Sequence, residues 1–292
     1  MTDARAVVGE VTRRLQAAQV PGATADARWI VCHVLGTSPA GLAFAGPLTD
    51  DEVARIDAAT ARRERREPLQ HILGSAPFGD LDLAVGPGVF VPRPETEAVA
   101  QFALRWLHDQ AGDRAQRVVD ACSGSGALAL ALACHAPRGV HVTAIEASRE
   151  AMPWLLRNVA ALAPRFEARG AVVDAVAGDV GDAAVWPEDV DLVVGNPPYI
   201  PEGCIPRDPE VRDHDPAMAL FGGPDGFTVV RPLVERAAAA LRVGGLLLIE
   251  HGDEQGEPDG VPHLFRETGR FVDVADHEDL AGRPRFTSAL RV

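Results

Sequence analysis

Lysine is absent: all 28 basic residues of this 292-residue chain are arginine, against 42 acidic ones, and the formal charge is −14. With Ala, Gly and Pro abundant, that usage reads as a GC-rich coding bias. A protein that grips a phosphate backbone carries a basic surface, so nucleic acid is a disfavoured partner. Cysteine is scarce, and Cys32, Cys122, Cys134 and Cys204 form no C-x-x-C pair, which excludes a disulfide framework and a zinc site. No run approaches the roughly 20 apolar residues that span a bilayer. The start, Met1-Thr2-Asp3-Ala4-Arg5, has no apolar signal core, so the expected location is the cytoplasm, with no membrane partner. What remains is the balance of a globular protein with a real core, 47% hydrophobic and 24% charged, at a length that suggests one large domain and a smaller one.

The first 70 residues carry helical signals. Thr24 is placed to cap a helix through Leu35 that ends at Gly36, with Trp29, Ile30, His33 and Val34 on one buried face. Thr49 and Glu52 form a capping box for a helix running to about Arg66. Its end, Arg62-Arg63-Glu64-Arg65-Arg66, is a solvated face that complements the helix dipole or, less simply, a dock for an acidic partner. Alternation then takes over: Phe78, Leu81, Leu83 and Val85, broken by Gly79-Asp80 and Gly86-Pro87-Gly88, predict a β-hairpin linker. Pro94 opens a helix with Glu95 and Glu97 in its early turn. The expected division is a helical domain over 1–74, a linker over 75–93 and a second domain over 94–292. In the last, short β runs at 118–120, 140–145, 171–176, 190–194 and 246–249 alternate with helical stretches, which predicts a mostly parallel α/β sheet. The run 127–133 alternates like a strand, but its Ala and Leu are strong helix formers after a glycine turn, so a helix is expected.

Two stretches carry chemistry. In Asp120-Ala121-Cys122-Ser123-Gly124-Ser125-Gly126, a strand passes through a small-residue turn into a helix, which lets backbone N–H groups approach a ligand closely. Glu146 ends the next strand, where an acid can hold both hydroxyls of a ribose, so together they suggest a nucleoside. Asp179 and Val180 end the third strand, where an acid can meet an adenine amino group or simply cap the turn.

The second stretch is Asn196-Pro197-Pro198-Tyr199, after the buried strand that includes Asp191-Leu192-Val193-Val194. An amide nitrogen is a poor nucleophile because its lone pair is delocalised. The Asn196 side-chain carbonyl and the Pro197 backbone carbonyl can each accept one of its N–H bonds, holding it in line with an electrophilic methyl group. The prolines stiffen the loop before substrate arrives, and Tyr199 can lie against the flat group. No titrating base is needed if the proton leaves after transfer.

The spacing D-x-x-x-G-x-G is similar to the first motif of class I methyltransferases, with Cys122 standing where a glycine is usual. With Glu67-Pro68-Leu69-Gln70-His71-Ile72-Leu73-Gly74, Val91-Pro92-Arg93-Pro94-Glu95-Thr96-Glu97, Glu250-His251-Gly252 and Gln255-Gly256, nearly the whole chain resembles the release factor glutamine methyltransferases. The resemblance implies a Rossmann-like domain with a mostly parallel seven-stranded sheet, preceded by a small helical domain that helps dock the protein substrate. It implies S-adenosylmethionine as cofactor, held by Asp120, residues 122–126, Glu146, Asp179, Val180 and Asn196. The implied reaction is N5-methylation of the glutamine in the Gly-Gly-Gln loop of peptide chain release factors, with Asn196 to Tyr199 binding that glutamine. His71 and Val180 stand where this family usually has aromatic residues, departures that bear on cofactor affinity rather than on reaction type. Arg93 is placed to reach cofactor or substrate, or to pair with Glu95 or Glu97. The alternatives are methylation of adenine or guanine amino groups, of another protein glutamine or a small-molecule amide, or a non-catalytic docking role.

Overall fold

Helical spacing of small and apolar side chains builds the first compact unit, which takes in Met1–Ala76 together with Ile205–Asp215. The computed structural model describes residues 3–112, 114–137, 139–279 and 281–292. Helices α1 (Ala4–Ala17), α2 (Ala23–Leu35), α3 (Asp50–Glu64) and α4 (Leu69–Leu73) pack around Val11, Leu15, Ile30, Val31 and Ile56. The Thr49–Glu52 capping box forms as expected. The start of α2 differs, because Gly22, at φ +69°, occupies the cap and Thr24 lies inside the helix. The buried stripe of α2 is Ala23, Ala27, Ile30, Val31 and Val34, leaving Trp29 and His33 outside. The arginine run is not a solvated face. The Arg63 side chain is 6% exposed and pairs with Asp26 at 2.7 Å and Glu210 at 2.8 Å, while Arg66 also holds Glu210, at 2.7 Å. The acidic partner of this run is thus the chain's own segment 205–215.

The second unit, Pro77–Cys204 with Pro216–Val292, is built on a twisted sheet. A hairpin of β1 (Ser75–Phe78) and β2 (Leu81–Ala84) leads into it, and Phe78, Leu81 and Leu83 join its core. The hairpin is therefore a packed element rather than a free linker. Next come α5 (Thr96–Asp109), β3 (Gln116–Ala121), α6 (Ala127–His135), β4 (Val140–Glu146), α7 (Met152–Glu167), β5 (Val172–Ala177) and β6 (Val190–Gly195). The chain closes with α8 (Pro209–His214), α9 (Ala217–Leu220), α10 (Val230–Ala240), β7 (Leu241–Glu250), α11 (Val261–Glu267), β8 (Phe271–Glu278) and β9 (Pro284–Arg291). Helix α5 starts at Thr96, two residues after Pro94.

The seven strands run in the order β5-β4-β3-β6-β7-β9-β8, with the first five parallel and β9 antiparallel to both its neighbours. Pleating sorts the side chains onto two faces. Val118, Val142, Leu192, Val194 and Leu248 pack with α5, α6 and α7, whereas Val119, Ile145, Val193, Leu247 and Ile249 pack with α10 and α11. Burying each such side chain contributes on the order of 2 kcal/mol. Because the central strands are parallel, the carboxyl ends of β3, β4 and β6 all open on one edge, where ligands bind in such sheets.

Candidate active site

At that edge lies a cavity of about 250 Å³. Asp120, Cys122, Ser123, Gly124 and Ser125 line it from the β3–α6 turn, Glu146 from β4, Asp179 and Val180 from the segment after β5, and Asn196, Pro198 and Tyr199 from the loop after β6. Gly126 and Pro197 are not on its wall. A Cβ on Gly126 would meet Leu155 Cδ1 at 2.7 Å at φ +88°, so this glycine serves helix packing. Pro197 is buried.

The turn alternates through left-handed residues, with Cys122 at φ +64°, Gly124 at +56° and Gly126 at +88°. A glycine is usual at such a position because a Cβ costs about 1 kcal/mol or more there. Cys122 accepts that strain while packing on Val119 and its neighbours, and burial and the nearby Glu146 push its thiol well above the usual range, so it is an apolar wall and no nucleophile. A Cβ on Gly124 would find nothing within 4 Å, leaving its backbone open to a ligand.

Carboxylates dominate the wall. Glu146 is oriented by the backbone N–H of Gly124 at 2.7 Å and of Ser148 at 2.6 Å, and burial pushes its acid up. Asp120 accepts from Ala129 N–H at 2.9 Å through one oxygen, while the other is buried with no partner. Burial pushes the Asp120 acid up to about 7. Asp179 lies exposed at the rim, where its carboxylate accepts from Gly181 N–H at 2.7 Å, so it lines the cavity and caps its own turn at once. Behind Val180, the Trp186 indole N–H donates to the Val180 carbonyl at 2.8 Å. His71, in α4, is buried in the first unit.

Other side chains complete the wall. Phe90, Pro92, Met218, Leu220 and Phe221 add apolar surface, and the Arg93 guanidinium lies 4.9 Å above the Phe90 ring. Glu95 lies 3.6 Å from Arg283, and Glu97 accepts from Gly79 N–H. Thr96, also on the wall, accepts from Asn196 Nδ2 at 3.2 Å.

The Asn196–Tyr199 loop is clamped from behind. Gln255 Nε2 donates to the Tyr199 carbonyl at 2.9 Å, and Gln255 Oε1 accepts from Gly252 N–H at 3.2 Å. Gly222 and Gly226 lie flush against the loop, since a Cβ on Gly222 would meet the Pro198 carbonyl at 2.5 Å and one on Gly226 the Tyr199 carbonyl at 2.4 Å. The breaker cluster Gly222-Gly223-Pro224-Asp225-Gly226 signals a turn in the sequence, but not what it packs against. Gly226 sits at φ +80°, so Gly226→Ala combines backbone strain with a clash on the clamp. The expected cost is about 3 kcal/mol. Thermal unfolding should show it as a lower midpoint, and turnover below that midpoint should fall at least tenfold as Tyr199 is displaced.

Among the described residues no cluster of His, Cys, Asp and Glu could hold a metal ion, and no helix is long and apolar enough to cross a membrane.

Residues 7–74 match the PrmC N-terminal domain, and 76–212 match the family described as conserved hypothetical protein 95. The release factor glutamine methyltransferase of Mycolicibacterium smegmatis is 44% identical over all of this chain and 99% of its own length. That of Streptomyces coelicolor is 45% identical over 97% of this chain and 96% of its own. A 4-amino-L-phenylalanine/4-methylamino-L-phenylalanine methyltransferase of Streptomyces pristinaespiralis is 40% identical over 90% and 87%. Likeness that runs through both units at such identity is a relationship of whole proteins rather than of a shared fold, and the chain belongs to the release factor glutamine methyltransferase family.

Proposed function

We propose that the chain transfers the methyl group of S-adenosylmethionine to the N5 side-chain amide nitrogen of the glutamine in the Gly-Gly-Gln loop of peptide chain release factors, in the cytoplasm. The observation that carries this reading is the end-to-end identity of 44% with a release factor glutamine methyltransferase.

The cavity fits the cofactor. Its carboxylates, including the unpartnered buried oxygen of Asp120, suit a ligand with positive charge and hydrogen-bond donors, and Gly124 leaves room for close backbone approach. Asp120, residues 122–125, Glu146, Asp179, Val180 and Asn196 would hold it, with Glu146 on the ribose hydroxyls. When bound, S-adenosylmethionine supplies a methyl group on a sulfonium, which needs no metal or redox partner. Asn196 Oδ1 accepts an amide N–H bond, Tyr199 lies on the flat group, and the proton that the methylated nitrogen sheds goes to water. Positioning supplies the rate. The helical unit, which matches the PrmC N-terminal domain, docks the protein substrate. The formal charge of −14 argues against nucleic acid as the substrate.

The relative acting on 4-amino-L-phenylalanine gives a second reading specific content, because an arylamine is also a planar nitrogen. The test is to incubate the protein with methyl-labelled S-adenosylmethionine and, separately, a release factor, 4-amino-L-phenylalanine, duplex DNA and rRNA fragments, and to locate the label by mass spectrometry. Label on the Gly-Gly-Gln glutamine is expected. Label on the arylamine or on nucleic acid, with none on glutamine, overturns the reading.

A further inference from the structure

Behind Asn196, at the end of β7, a carboxyl is buried. Glu250 is 2% exposed, does not line the cavity, and has one oxygen, Oε2, with no partner. It stands next to Asn196 across the β6–β7 pairing, in which Gly195 faces Ile249, and the Thr96 and Asn196 side chains favour its ionised form. Thr96 in turn accepts from Asn196 Nδ2 at 3.2 Å. Burying a half-satisfied carboxylate is expensive, and such a group calls for a reason.

The reason lies in the symmetry of the asparagine side chain. The amide can turn end over end about its last torsion at little intrinsic cost. Only one orientation serves the reaction as proposed above, on which this inference rests: Oδ1 must meet the substrate N–H. The reversed side chain would set donor against donor. An ionised carboxylate accepts hydrogen bonds and donates none, so whatever faces it must be the Nδ2 end. Thr96 completes the arrangement, accepting from Nδ2 with its own O–H available to turn toward Glu250. We infer that Glu250, with Thr96, is a positioning residue that locks the Asn196 amide with its carbonyl oxygen toward the substrate nitrogen.

Protonation undoes the lock, because a protonated Glu250 can donate to Oδ1 and favour the reversed side chain. Burial pushes the Glu250 acid up to about 7. The charged and titrating groups around it are Arg285 on β9, which favours ionisation, Glu95 before α5, which opposes it, the Tyr199 hydroxyl, and on its own strand end the His251–Asp276 pair. Turnover is therefore lost as pH falls through about 7 and is complete above it. Asp120 also titrates near 7, so the assignment depends on what a Glu250 variant removes.

The experiment compares wild type, Glu250→Gln, Thr96→Val and Thr96→Ser between pH 5.5 and 8.5. It measures kcat on a release factor, S-adenosylmethionine affinity by calorimetry, and the side-chain NH2 resonances of Asn196, assigned with Asn196→Ser. Glu250→Gln should keep cofactor affinity within about twofold, lower kcat at pH 8 at least tenfold and flatten the limb near pH 7. Thr96→Ser should stay near wild type and Thr96→Val should follow Glu250→Gln. The Asn196 NH2 resonances should titrate near pH 7 in wild type and not in Glu250→Gln. A Glu250→Gln enzyme with wild-type kcat and pH profile, or wild-type Asn196 resonances that do not move between pH 6 and 8, overturns the inference. Because the resonances need no turnover, a protein that fails to methylate release factors but shows this titration sinks the substrate reading and leaves the lock standing.

Discussion

Replacing Asn196 by alanine should lower turnover by about 10²- to 10³-fold, on the scale set by removing one preorganised hydrogen-bonding group from a reacting centre. The lost acceptor is the one group in the loop whose role depends on the orientation of its side chain. Binding of the amide would fall back on the Tyr199 ring, which holds the plane but not the direction of the lone pair. The fold should survive, because Asn196 lies in a half-buried loop after β6 and its side-chain bond to Thr96 is 3.2 Å long. The cost in stability should stay near 1 kcal/mol. Asn196→Asp is the sharper control. It keeps the shape but sets a second carboxyl against Glu250, and two such groups cannot both ionise. Its turnover should be as poor as that of the alanine variant at pH 8. Single-turnover kinetics with saturating S-adenosylmethionine would check both, and a loss below about fivefold in Asn196→Ala would remove the amide clamp from the mechanism.

Much of this was legible in the residues because local pattern and tertiary demand agree there. The strands β3, β4, β6 and β7 are largely buried on both faces, so they announce themselves as apolar runs, and the turns after them carry their own glycines and prolines. The edge is different. Strand β8 alternates weakly and is mostly exposed, and β9 begins at a proline, so neither has a pattern that separates it from loop. The register of α2 is not legible locally, because Trp29 and His33 keep helical spacing on the exposed side of the stripe. Only tertiary packing decides that. Arg63 looked solvated because its partner Glu210 is 147 positions away in the chain. The same holds for Glu250 and Gln255, whose work behind Asn196 and Tyr199 is invisible until β6 and β7 lie side by side.

Asp191 is the extreme of that class, and its replacement carries a large expected loss of stability. It interrupts an apolar strand, its side chain is 2% exposed, and it sits where the β6–β7 register slips between Val190 and Leu192. Its oxygens accept from both terminal nitrogens of Arg114 at 2.8 and 2.7 Å, from Arg117 N–H at 2.8 Å, and from Arg242 Nε at 2.6 Å. One carboxylate thus ties the amino ends of β3, β6 and β7, the strands that run toward the cavity. Burial alone would raise its acid, but the hydrogen bonds from Arg242, Arg117 and Arg114 win and hold it below the usual carboxylate range. Both arginine side chains are partly exposed, 51% for Arg114 and 30% for Arg242, and can turn to water when the carboxylate goes. The loss for Asp191→Ala is therefore set at about 3 kcal/mol, the low end for breaking a buried pair, or roughly 10 °C in the melting midpoint. Since the folded state lowers this acid, its contribution is complete above the unfolded value of about 4 and disappears as pH falls through the folded value. The gap between wild type and Asp191→Asn in denaturant midpoint should be full at pH 6 and narrow as pH falls below about 4. The site lies at the other end of the strands, so the folded variant should keep its turnover within about twofold at 20 °C. A stability loss under 1 kcal/mol would mean that the three strand ends are held by packing alone.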